Sequence, residues 1–202
     1  MPITKHSKVW YTNEDGFEFR FEPLDGTLTI MKRPFGFEAR YLVHDEDPIS
    51  PNHYDDTKLF LVHYHRDFHV TNDPIIREDD VRRWYRDEGE IEQARTYHFF
   101  PVAAYIHSGV VLSLGDGRHF PDARWDVSRV GVVLASKAKW PDEAKARTSA
   151  ESLITEWNSY LSGDVYCLVK ETYDQAKRPK DWDIVGGYVG AESAKQSLKT
   201  EI

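Results

Sequence analysis

Histidine is grouped most densely in the run His63-Tyr64-His65-Arg66-Asp67-Phe68-His69. On a strand, residues two apart face the same way, so His63 and His65 are placed to grip one metal ion, with His69 or Asp67 completing the set. No second cluster with ligand spacing and no His-Glu-x-x-His appears, so the sequence predicts no bound metal and no cofactor. His63, His65 and His69 are the group on which that expectation is tested. A second run, Tyr105-Ile106-His107-Ser108-Gly109-Val110, sets a base beside a nucleophile. Adjacent strand residues face opposite sides, which denies His107 and Ser108 the mutual hydrogen bond that nucleophilic catalysis needs. Ser108-Gly109 reads instead as a bulge or tight turn.

A third constellation is Trp125-Asp126-Val127-Ser128, just ahead of an apolar strand. Asp126 suits an Asx turn with Ser128 in support, and the same residues would also suit a pocket wall. Asp164, in Ser162-Gly163-Asp164-Val165-Tyr166, follows a helix stop and is expected to accept backbone N–H groups at the start of its strand. It joins the same pocket if the two strands are neighbours. The catalytic candidates are thus His107, Ser108, Asp126 and Asp164, none with an assigned reaction. The ligand-binding candidates are Trp125, Asp126, Ser128 and Tyr166. Gly186-Gly187-Tyr188-Val189-Gly190 lacks both the Lys-Ser/Thr of a P-loop and the spacing of a dinucleotide fingerprint. Arg82-Arg83-Trp84-Tyr85-Arg86 resembles a stacking surface for nucleic acid, but its aromatics belong to a helical apolar stripe.

The elements that must position these residues are mostly strands. Phe17, Phe19 and Phe21 alternate with Glu18 and Arg20, and strands follow over Leu28–Met31, Phe37–Val43 and Lys58–His65. An acidic loop separates the last two. Leu59, Leu61 and His63 should share one face, opposite Phe60, Val62 and Tyr64. Residues 75–95 switch to helical spacing. Strands return over Tyr97–Ile106, Val110–Leu114, Val130–Leu134 and Asp164–Lys170, with a last short one near Ile184–Val189. The best-signalled helix starts after Pro141, or restarts at a capping box of Thr148 and Glu151, and buries Leu153, Ile154, Trp157 and Leu161 before Gly163 stops it. A final helix begins at Ala191. Turns between neighbouring strands are too short for parallel crossovers. The fold class is α+β: a mostly antiparallel sheet with two or three helices packed against it, in a single domain over 1–202.

Composition excludes several functions. The chain has 202 residues, of which 13% are aromatic, too much ring surface for a disordered protein. One cysteine, Cys167, cannot form an internal disulfide, and no leader or apolar run long enough for a membrane span is visible, so a cytoplasmic location is expected. The net charge of −8 opposes the phosphate neutralisation that supplies most nucleic-acid affinity, and it suits basic partners.

Three stretches taken together carry a resemblance. They are His44-Asp45-Glu46-Asp47-Pro48 through His65-Arg66, then His107-Ser108-Gly109 with Trp125-Asp126-Val127-Ser128-Arg129-Val130-Gly131, and Tyr160-Leu161-Ser162-Gly163-Asp164-Val165-Tyr166. Their order and spacing are similar to a family of uncharacterised proteins encoded by bacteriophages, plasmids and other mobile elements. In that family the middle motif reads Asp-His-Ser-Gly, then Pro-Trp-Asp-Ser-Gly-Gln-Val-Gly, and the late one Tyr-Leu-Thr-Gly-Asp-Val-Tyr-Gly. The resemblance covers about residues 41 to 198, leaving 1–40 as an N-terminal hairpin region. Ile106 stands where the family has Asp, Val127 and Arg129 alter the middle motif, and Cys167 replaces a Gly.

The resemblance implies a genomic setting. With it, the expected function is that of a non-catalytic accessory protein binding a host or phage protein in the host cytoplasm, as an antagonist of host defence. The alternative is a small enzyme or ligand-binding domain with a pocket around His107, Trp125, Asp126, Ser128 and Asp164.

Overall fold

A computed structural model describes residues 11–53, 57–64, 79, 83, 95–121 and 125–200. In chain order the elements are β1 (Tyr11–Thr12), β2 (Glu18–Phe19), β3 (Thr29–Arg33), β4 (Gly36–His44), a 3-10 turn (Pro51–His53), β5 (Leu59–His63), β6 (Tyr97–Ile106), β7 (Val110–Leu114), β8 (Val127–Ser136), α1 (Glu143–Ser162), β9 (Val165–Tyr173), β10 (Pro179–Val189) and α2 (Ala191–Thr200). Every strand pairing among the described residues is antiparallel, so the fold is α+β built on antiparallel sheets. The chain divides into two compact units, Met1–Ile49 with Gly163–Ile202, and Ser50–Ser162.

Unit 1 holds the β1–β2 ladder and a sheet ordered β10-β9-β4-β3. Strand alternation sorts its residues into two packed faces. Ala39, Tyr41, Val43, Cys167 and Val169 pack with Phe17 and Phe19 on one. Leu42, Tyr166 and Leu168 lie under Ala194 and Leu198 of α2 on the other. The β3–β4 hairpin requires glycine at position 36, where φ is +149° and a Cβ would stand 1.8 Å from the Tyr173 carbonyl oxygen.

Unit 2 holds a sheet ordered β5-β8-β6-β7 with α1 on one face. Trp157, fully buried, packs with Leu153, Ile154, Leu61, Phe100 and Leu112. On the other face Val62, Val132 and Leu134 meet Tyr64, Tyr97 and Phe99. The expected split of Leu59 and Leu61 from Val62 and Tyr64 is therefore observed.

Helix α1 takes the first of its two expected starts, after Pro141, while other boundaries differ from expectation. Helix α1 starts at Glu143, because Asp142 caps it by accepting the N–H groups of Ala144 (2.9 Å) and Lys145 (3.3 Å). Thr148 is no cap: its hydroxyl donates back to the Ala144 carbonyl inside the helix. Leu161 is only half-buried, on the last turn. The Phe17–Phe21 strand is ordered as β-ladder only at Glu18–Phe19, while the final strand starts earlier, at Pro179. Of the helix read over 75–95, Asp79 and Arg83 are helical, and the apolar stripe Val81, Trp84, Tyr85, Glu88 and Ile91 lies outside the described residues, as do Arg82 and Arg86. No helix among the described residues is long and apolar enough to cross a membrane.

Candidate functional site

Two of the sequence motifs meet at one end of the unit 1 sheet. The antiparallel β4–β9 register brings the His44 ring against Tyr166, with ring centroids 5.0 Å apart, and the Asp45 N–H donates to the Val165 carbonyl at 2.9 Å. The Asp45 carboxylate accepts the Asp47 N–H (3.2 Å) in an Asx turn and also faces the Cys167 thiol. Gly186 makes that possible, since a Cβ there would stand 2.9 Å from Asp45 Oδ2 and 3.2 Å from Cys167 Sγ. Burial first, and the Asp45 charge second, push the Cys167 thiol up to about 12, so it is no nucleophile at neutral pH.

Asp164 accepts a backbone N–H, as expected, but not in a turn of its own strand. Its Oδ1 takes the Ala191 N–H (3.2 Å) and its carbonyl takes the Gly190 N–H (2.9 Å), so it caps α2 from 27 residues away. Its carboxylate also accepts the Tyr166 hydroxyl, and burial together with that partner holds the phenol above its usual range. Both acids at this sheet end therefore have structural partners.

The middle motif lies in unit 2, at the β6–β7 turn and the start of β8. His107 Nδ1 and Asp126 Oδ2 are 3.8 Å apart, an ion-pair distance too long for a hydrogen bond, and the His107 side chain is 71% exposed. The Asx turn expected at Asp126 is not formed: among the described residues its carboxylate accepts no backbone N–H, and its carbonyl takes the Ile106 N–H instead (2.9 Å). Ser108 sits exposed in the turn closed by the His107 N–H and the Gly109 carbonyl, with no hydrogen bond to His107 among the described residues. Ser128 is exposed on β8, opposite Ala104. Tyr105 stacks on Phe120 (5.4 Å, 19°), and His119 lies against the same ring (4.4 Å). Trp125 is 86% exposed beside them in sequence. Of the five pocket candidates, then, His107 and Asp126 meet in unit 2, while Asp164 belongs to unit 1.

His63 is buried with its ring 6.3 Å from Trp157, edge to face, and His65, Asp67 and His69 lie outside the described residues. Among the described residues no three His, Cys, Asp or Glu side chains are grouped closely enough to hold a metal ion.

Two buried carboxylates went unnoticed in the sequence. Glu38 accepts Arg40 (2.8 Å) and Arg33 (3.0 Å), with the Lys170 ammonium at 3.7 Å. Burial draws its carboxyl upward, but the two arginine hydrogen bonds and the Lys170 charge outweigh that and hold it below the ordinary value. On the opposite face Glu171, 1% exposed, accepts the Arg20 backbone N–H (3.0 Å) and a short bond from the Tyr173 hydroxyl. The Tyr41 and Tyr173 phenols are both raised, by burial and then by this carboxylate. The signal was parity: Glu171 shares the face of the apolar Cys167 and Val169, where a charge demands partners.

No protein-family model, no curated protein and no solved structure matches this chain.

Proposed function

We propose that this protein is a non-catalytic accessory protein of a bacteriophage or other mobile element, and that it acts in the host cytoplasm by binding a host or phage protein, as an antagonist of host defence. The observation that carries the reading is Trp125, a large aromatic left 86% exposed two residues before β8. Tryptophan is enriched among residues that dominate protein interfaces, because one ring buries much apolar area at little entropic cost. The polar groups that would serve chemistry support the same reading from the other side. Asp164 caps a helix, Asp45 closes a turn, and the Cys167 thiol is held protonated. The mobile-element setting rests on the motif resemblance.

The test is affinity capture from the phage-bearing or plasmid-bearing host, with partners identified by mass spectrometry. Wild-type protein should retain one partner in near-stoichiometric amount. Trp125→Ala should weaken that capture about thirtyfold, the loss typical of a hot-spot residue, and Asp126→Ala should leave it intact. No partner at all, or capture lost only in Asp126→Ala, would overturn the reading.

A further inference from the structure

The edges of the two sheets are treated unequally. In unit 2 each edge strand is closed by an asparagine amide. Asn52 gives its Nδ2 to the Leu61 carbonyl (2.8 Å) and takes the Leu61 N–H (2.9 Å) at the outer side of β5. Asn158 does the same to Leu112 at the outer side of β7 (2.9 and 2.7 Å). In unit 1 the bond from the Asp45 N–H to the Val165 carbonyl sets the phase of the ladder. Odd residues of β4 face β9, so even residues of β9 face β10, and Trp182 and Ile184 of β10 point outward. Both outward N–H groups are taken, at 2.9 Å each, by the carboxylates of Asp181 and Asp183.

The same phase puts Glu38 and Arg40 of β4 toward β3, which leaves Ile30 and Lys32 of β3 with their N–H and C=O groups directed outward. No side chain among the described residues closes that edge. Beside it, a shallow groove is lined by Thr29, Leu198, Lys195 and Lys199, with Asp25 and Thr27 at its end.

We infer that the outer edge of β3 receives an extended segment of a partner protein as a fifth strand, and that this segment alternates acidic and apolar residues. Its backbone pairs with Ile30 and Lys32, the recognition mode by which exposed sheet edges bind peptides. Side chains on the Thr29 side enter the groove beneath Lys199 and Lys195. The Lys195 ammonium has only an exposed surface pair with Glu192 (3.4 Å), which screening leaves weak, so two cations against the single Asp25 select carboxylates. Those on the Ile30 side extend the apolar face to which half-buried Ile30 and Leu28 belong. A second copy of this chain is disfavoured, because edge-to-edge pairing sets the Lys32 and Arg33 charges against their own kind. The inference deepens the protein-binding reading but uses no residue of the Trp125 region.

The probe is the peptide acetyl-Thr-Glu-Val-Glu-Val-Glu-Thr-amide, with a lysine-for-glutamate version as control, followed by amide hydrogen exchange of the intact protein. Binding of the acidic peptide should slow exchange at Ile30 and Lys32 at least tenfold, leave Leu61 and Leu112 unchanged, and weaken as salt rises. Lys32→Pro removes one outward N–H without touching the β3–β4 ladder, so it should abolish binding while the protein stays folded. The double variant Lys195→Glu, Lys199→Glu should weaken binding at least tenfold and reverse the preference between the two peptides. No protection at Ile30 and Lys32 at millimolar peptide, or equal binding of both peptides, overturns the inference. A captured partner released by Trp125→Ala but not by Lys32→Pro sinks the β3 edge and spares the protein-binding reading. Peptide protection at β3 in a protein that captures no cellular partner does the reverse.

Discussion

Each unit builds a four-stranded antiparallel sheet with a helix packed on one face, yet the two bury different polar groups. Unit 1 buries Glu38, Arg40 and Glu171 beside the neutral Thr27, whereas unit 2 buries only uncharged or weakly basic groups among the described residues, Ser50, Asn52 and His63. A neutral amide inside a sheet needs only hydrogen bonds, but a buried carboxylate needs hydrogen bonds and counter-charge, and its partners then titrate with it. The two units should therefore answer differently to acid and base.

The Glu38 carboxyl is depressed below 4.5, so its contribution to folding is present above that value and lost as pH falls through the folded value. Raised groups act the other way: Cys167, Tyr41 and Tyr173 contribute stability that is full below about 9 to 10 and lost as pH rises. Unit 1 should thus weaken at both ends. In unit 2 Glu156 is raised by partial desolvation on the exposed side of α1, so its contribution is full in acid, lost as pH rises, and small. Glu38→Ala should cost about 3 kcal/mol, at the low end for breaking a buried pair because the Arg33 and Lys170 side chains are near half-exposed and rehydrate. Native-state hydrogen exchange of β4 and β9 amides against β6 and β8 amides, from pH 3 to 10, separates the units. Equal acid loss in both, unaltered by Glu38→Ala, would erase the distinction.

The edge closures differ by smaller energies. Asn52 is 3% exposed, so Asn52→Ala strands the Leu61 N–H and C=O away from water and should cost about 2–3 kcal/mol. Asn158 is half-buried, and its loss should cost about 1–2 kcal/mol. Asp181→Ala should cost only a few tenths, because water replaces an exposed carboxylate at the Trp182 N–H. Urea unfolding of the three variants gives the order directly, and a cost for Asp181→Ala equal to that of Asn52→Ala would contradict it.

Much of the fold was legible in the sequence where period and turn chemistry agree. Tyr97–Ile106 and Val110–Leu114 are strands with the bounds expected, because apolar alternation stops at His107-Ser108-Gly109, where a turn must be. Gly163 ends α1 at φ +75°, as a left-handed stop requires. The site residues were less legible, since what each does depends on a partner distant in the chain. Asn52 and Asn158 lie in a 3-10 turn and in α1. Their partners are 9 and 46 residues away, and no local pattern marks an amide that imitates a strand. The glycine run at 186–190 matches no phosphate-binding pattern, and nothing local shows that Gly186 leaves room for Asp45 and Cys167.

The two aspartates expected to behave alike bring the comparison to its smallest effect. Asp164 and Asp126 each precede a strand, and each seemed suited to hold backbone N–H groups. Only Asp164 does so, through the first N–H of α2. Asp164→Ala should therefore cost about 1 kcal/mol, as loss of an N-cap does, and Asp164→Asn should recover most of it, because the amide oxygen still accepts. Among the described residues Asp126 offers its carboxylate only to His107, at 3.8 Å across a largely exposed pair whose worth is near zero. The bond that fixes its position comes from its own carbonyl, which every residue carries. Asp126→Ala should thus change the unfolding free energy by less than about 0.5 kcal/mol. If Asp126→Ala instead destabilises by more than about 1 kcal/mol, the carboxylate has a structural partner. If it stabilises the fold and a measurable activity disappears with it, the His107–Asp126 pair is a site and the non-catalytic reading falls.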